Sequence, residues 1–75
     1  MGASYKLYVI DGKGRESLHL DTDNIQKLRY YLSEITAQRI RNMDYCNTNK
    51  IRVARHGHDD RVVNMMECDK LIYTI

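Results

Sequence analysis

Apolar residues fall into two rhythms along this chain. Tyr5-Lys6-Leu7-Tyr8-Val9-Ile10 is rich in β-forming side chains and stops at Asp11-Gly12-Lys13-Gly14, where glycines supply the positive φ of a hairpin turn. Glu16 to Leu20 is then the returning strand, with Leu18 and Leu20 on one face and Ser17 and His19 on the other. Beyond it the period changes. Ile25, Leu28, Leu32 and Ile35 keep the 3-4-3 spacing of one buried helical stripe, with Tyr31 on its flank and Tyr30 pointing away. Asp21, Thr22 and Asp23 are the N-cap candidates, and Leu20 with Ile25 would staple a start at Asp21. The helix is expected to finish between Ala37 and Arg41, because Arg39 would otherwise lie on the core face.

Asn42 to Asn49, with three asparagines, reads as a connecting loop. A second hairpin follows: Ile51 to His56, a turn at Gly57-His58-Asp59-Asp60, and a return from Arg61 to Glu67. Leu71 to Ile75 is either a fifth strand or the continuation of the fourth past a bulge at Asp69-Lys70. The expected architecture is therefore a single α+β domain over residues 1–75, in β-β-α-β-β order. It has an antiparallel sheet of four or five strands with one helix on one face. The other face would meet water or a partner, and the apolar end at Leu71, Ile72, Tyr73 and Ile75 suits intermolecular pairing, so a homodimer is compatible with the pattern.

Size and composition limit what such a domain can do. A chain of 75 residues holds one small core and no large enclosed pocket, and of its 43% hydrophobic residues only seventeen are Val, Ile or Leu. The formal charge is +2, from 12 basic and 10 acidic residues. Its distribution is uneven: residues 27–61 hold eight basic and four acidic groups, a local +4, while the segments on either side are each at −1. No apolar run approaches the roughly eighteen residues of a membrane span. The start Met1-Gly2-Ala3-Ser4-Tyr5-Lys6 lacks the hydrophobic stretch of a signal peptide, so a cytoplasmic location and reduced Cys46 and Cys68 are expected.

Candidate chemistry is sparse. His56-Gly57-His58-Asp59-Asp60 is the most metal-like stretch, yet it offers one local ligand pair where zinc needs four ligands, and it makes a good turn; no metal or other cofactor is expected. Asp59 and Asp60 are adjacent, so their carboxylates would diverge on a strand, and neither cysteine has a histidine nearby in sequence. Asp11-Gly12-Lys13-Gly14-Arg15 lacks the frame of a phosphate loop and leads into a strand. A non-enzymatic protein is the expectation.

Two binding readings remain. The first is a small inhibitor or adaptor that acts on another protein, of the kind that phages and mobile elements encode, its partner acidic and its contacts made by Arg39, Arg41, Tyr45, Arg52 and Arg55. The second is nucleic-acid binding through the basic 39–61 region or the uncovered sheet face, by Lys6, Tyr8, Lys50, Arg52 and Arg61. Alternation would place His19, Ala54 and His56 on that face as well.

Overall fold

A computed structural model describes residues 4–75, so Met1 to Ala3, part of the start read above for a leader segment, lie outside the described residues. Four strands form one antiparallel sheet in the spatial order β2-β1-β3-β4: β1 Tyr5–Ile10, β2 Glu16–Thr22, β3 Lys50–Arg55 and β4 Arg61–Asn64. The α+β class and the four-stranded antiparallel sheet agree with the sequence pattern. Three helices, α1 Ile25–Gln38, α2 Met43–Thr48 and α3 Asp69–Thr74, replace the single one expected, so the order is β-β-α-α-β-β-α.

β1 sits between β2 and β3, and its alternation is strict: Tyr5, Leu7 and Val9 are buried on one side, with Lys6, Tyr8 and Ile10 on the other. β3 repeats this with Ile51 and Val53 buried. The first turn is organised by Asp11, whose Oδ1 accepts the backbone N–H groups of Lys13 and Arg15, both at 2.9 Å, while Gly14 supplies φ +82°. These bonds, chiefly the one from the Arg15 amide, hold the Asp11 carboxyl below its ordinary value.

β2 breaks the expected alternation. Leu7 lies opposite Leu20, but Tyr8 lies opposite Leu18, so one extra residue, His19, is accommodated as a bulge. Strand faces have a period of two, and a one-residue slip therefore exchanges them. Leu18, expected on the core face, turns to the open side and is 50% exposed, while His19, expected on the open side, turns toward the helices.

The helical layer covers the other face. α1 is capped by Asn24, not by Asp21, Thr22 or Asp23: the Asn24 side chain accepts the Gln26 N–H at 2.9 Å, and Thr22 in turn accepts the Asn24 N–H. Leu28 and Leu32 of the predicted stripe are fully buried, and Ile25, Tyr31 and Ile35 pack around them. The helix ends at Gln38, inside the expected interval.

Two segments read as loop and strand are helical, for identifiable reasons. Residues 43–48 form α2, which buries Cys46, and Asn49 closes it by donating from Nδ2 to the Tyr45 carbonyl at 2.6 Å. The strand expected to run to Glu67 stops at Asn64, whose side chain accepts the Met66 N–H and starts a 3-10 turn over Met65–Glu67. Met65 N–H is taken by the Asn49 carbonyl, which fastens that turn to the end of α2. α3 follows immediately. Cys68 and Leu71 are buried, and Ile72 and Ile75 pack against the same core, a helical 3-1-3 spacing that excludes the fifth strand. Arg39 locks the arrangement by donating to Asp69 at 3.0 Å and to the Met66 carbonyl at 3.2 Å.

A helical docking of α3 makes a direct prediction. Leu71→Ala should lower unfolding free energy by about 2–5 kcal/mol, as for other fully buried leucines, whereas Tyr73→Ala, two residues on, should change it by under about 0.5 kcal/mol. Urea denaturation of both variants checks this; comparable losses from the two would contradict the helix.

Candidate functional site

The basic residues singled out by sequence do not form one patch. Arg39 braces α3 as described, and Arg41 with Tyr45 lies at the corner between α1 and α2. Arg52 occupies the middle of the open sheet face, and Arg55 faces the helix side at the far end of β3, opposite Tyr5. Of the nucleic-acid set, Lys6, Tyr8, Lys50 and Arg52 share the open face. Arg61 pairs with Val53 and so turns to the helix side.

On the open face one cross-strand row runs Leu18, Tyr8, Arg52, Val62. The Arg52 guanidinium lies 4.1 Å from the centroid of the Tyr8 ring and forks onto Glu16, at 2.6 and 3.2 Å, with a further bond to Asp60 at 2.6 Å. Glu16 first and Asp60 second push its already high pKa upward. The network straps β2 to β3 and to the second turn across the face of β1. Its consequence for binding is that the central cation of this face is already neutralised twice over. Lys6 and Lys50 remain as exposed cations beside Tyr8.

The other side of the molecule carries a different constellation. A cavity of about 110 Å³ opens where β2, α1 and α2 meet. Val9, Ile35, Cys46 and Met65 supply its apolar lining, and His19, Tyr31, Gln38, Asn42 and Tyr45 its polar groups. The bulge aims His19 here: Nδ1 lies 3.1 Å from the Tyr31 hydroxyl and Nε2 3.1 Å from the Ser17 hydroxyl. Ser17 beside His19 has the contact of a nucleophile and its base, but both are exposed to water and the third partner is a phenol, where a hydrolytic triad uses a carboxylate to stabilise the charged imidazole. We read the group as the polar rim of the cavity. Burial, and secondarily Tyr45, raises the Tyr31 pKa, so its hydroxyl keeps its proton at neutral pH.

Tyr45 and Asn42 also wall a shallower depression of about 350 Å³, completed by Ile40, Arg41, Met43 and Asp44. Ile40, Met43 and Tyr45 are exposed by 66%, 45% and 53% respectively, a concentration of large apolar side chains in six consecutive residues. Of these residues the sequence pattern marks Tyr45 and Arg41 as contacts; it places His19 on the open sheet face and Tyr31 on the flank of the helical stripe, and gives Ile40 and Met43 no role. Four apolar residues among the seven of 40–46, at positions 40, 43, 45 and 46, are the available signal for Ile40 and Met43.

Among the described residues no group of three or more His, Cys, Asp or Glu could hold a metal ion, and no helix is long and apolar enough to cross a membrane. Both cysteines are free and buried. Burial pushes both thiols above their ordinary value; for Cys68, whose Sγ lies 3.2 Å from Thr36 Oγ1, the Thr36 bond offsets part of this. The thiol form therefore dominates at neutral pH, the opposite of an activated nucleophile. In comparisons with known proteins, no family model matches the chain, and no curated protein or solved structure shows significant similarity to it.

The thiols give a measurable consequence. At pH 8 both should be alkylated by iodoacetamide roughly 100-fold or more slowly in the folded protein than in urea, since reaction requires opening. The folded state holds these protons more tightly than the unfolded chain, so their contribution to stability is complete at neutral pH and is lost as pH rises from the unfolded value near 9 through the raised folded ones. Rapid alkylation of either cysteine in the native protein would contradict this.

Proposed function

We propose that this chain is a small non-enzymatic binding protein that acts on another protein, as an inhibitor or adaptor does, and that the corner between α1 and α2 carries the contact. One observation supports it above the rest. Ile40, Met43 and Tyr45 expose large apolar surface around one depression, and Tyr45 links that depression to a cavity with an apolar lining and a polar rim. Protein interfaces concentrate Tyr, Met and Arg, and their strongest contacts are buried anchors that fill pockets on the partner surface. A cavity of about 110 Å³ has room for one aliphatic side chain. Arg41, exposed beside it, offers a fork for a partner carboxylate at the rim.

The nucleic-acid alternative draws support from Lys6, Tyr8 and Lys50 on the open face, where a base could stack on the ring between two cations. It is the weaker reading because Arg52, the residue nearest that ring, is engaged by Glu16 and Asp60, whose carboxylates also repel a polyanion.

Affinity purification of the tagged protein from its host, with and without nuclease, tests the choice. The expected result is a protein that co-purifies with the wild type, survives nuclease, and is lost at least tenfold in a Met43→Asp, Tyr45→Ala variant with an unchanged circular dichroism spectrum. Equal retention by the variant, or recovery of nucleic acid in place of protein, would overturn the proposal.

A further inference from the structure

A second cavity, of about 230 Å³, lies at the opposite end of the sheet, between the end of β3, the turn into β4 and the end of α3. Its chemistry is unusual for its position. Arg55 and Arg61 both occupy sheet positions that face the helical layer: Arg55 lies opposite Tyr5 and Arg61 opposite Val53, residues that are themselves part of the core. The inward stripe of this sheet therefore changes from apolar to cationic at one end, and both arginines line the cavity, with His58 and Asp59 beside them. Neither forms a salt bridge among the described residues.

Arg55 is also incompletely satisfied. Its Nε is buried and has no hydrogen-bond partner, while its guanidinium carbon lies 5.7 Å from the Tyr5 ring centroid, which fixes its direction without supplying an acceptor. A guanidinium cannot shed its charge by deprotonation, so two of them without an anionic partner favour an oxyanion in the cavity, bound through their terminal N–H groups and not through the enclosed Nε. Val53 and Ile75 supply apolar walls beside the two cations.

We infer that this cavity is a binding site for a carboxylate side chain of an acidic peptide segment, its two oxygens shared between Arg55 and Arg61 and its methylene stem against Val53 and Ile75. Two features select this ligand over a nucleic-acid backbone. Asp59 lines the same cavity and opposes a ligand of high charge density, and the cations form a pair within one recess, not a row that could follow successive phosphates. The source of the carboxylate rests on the protein-binding reading above; the pocket's preference for an oxyanion does not.

The test is an NMR titration of the whole protein with a short glutamate-rich peptide, and separately with a single-stranded oligonucleotide of equal charge, at fixed ionic strength. The side-chain Nε–H signals of Arg55 and Arg61 report on the cavity, and that of Arg41 is the reference. Saturable shifts of Arg55 and Arg61 with the peptide are expected, weakened at least tenfold in Arg55→Gln and in Arg61→Gln. Arg61 is exposed, so that variant keeps its fold if Arg55→Gln does not. Unsaturable shifts, equal affinity in Arg61→Gln, or saturation by the oligonucleotide alone would overturn the inference. Peptide binding at this cavity in a protein that captures no partner would refute the proposed function while supporting the site. Capture through Tyr45 with no peptide binding here would do the reverse.

Discussion

A four-stranded sheet has two faces, and this chain has helices enough for one. Every other feature of the molecule follows from how that one face is covered. Leu7 and Ile51, at the centre of the paired strands β1 and β3, are fully buried only because α1, α2, the 3-10 turn and α3 all lean on the same side. A single helix of fourteen residues is about 21 Å long and about 10 Å wide, too narrow to shield four strands spaced about 4.8 Å apart. The short helices on either side complete the cover. They are too short to be stable alone, and they are held by specific polar contacts: Asn49 to the Tyr45 carbonyl, Asn64 to the Met66 amide, Arg39 to Asp69.

The bulge in β2 decides what each face then presents. By turning Leu18 outward it extends the row Leu18, Tyr8, Arg52, Val62 across the open side, where the Arg52 ion pairs hold strands together and neutralise the central cation of the face. By turning His19 inward it builds the rim of the small cavity with Tyr31. One residue of register thus decides whether His19 meets Tyr31 at the cavity rim and whether Leu18 lies beside Tyr8 on the open face.

Much of this architecture was legible in the sequence because it rests on local signals. The alternation of Tyr5, Leu7 and Val9, the glycine turns and the 3-4-3 stripe of α1 each reflect a period that burial enforces. What was not legible depended on partners distant in the chain. Asn64 ends β4 because its side chain caps the next turn, and valine-rich sequence before it gives no sign of that. Cys68, Leu71, Ile72 and Ile75 do carry helical spacing, but four positions over eight residues, with β-branched isoleucines among them, are equally a strand until α1 and β3 are in place to receive them. The bulge has no mark of its own: His19 is an ordinary residue in an alternating stretch. For the candidate site, Arg41 and Tyr45 could be reached from composition, whereas the pairing of Arg52 with Glu16, thirty-six positions away, could not.

Covering the sheet in this way requires α3 to belong to the same cooperative core as the strands beneath it. Native-state hydrogen exchange tests it most directly. The amide of Leu71, which donates to the Cys68 carbonyl at 3.0 Å, should exchange through the same global opening as those of Leu7, Val9, Ile51 and Val53, with matching dependence on denaturant. Exchange of residues 69–74 at unfolded-chain rates, while the central strands stay protected, would contradict it.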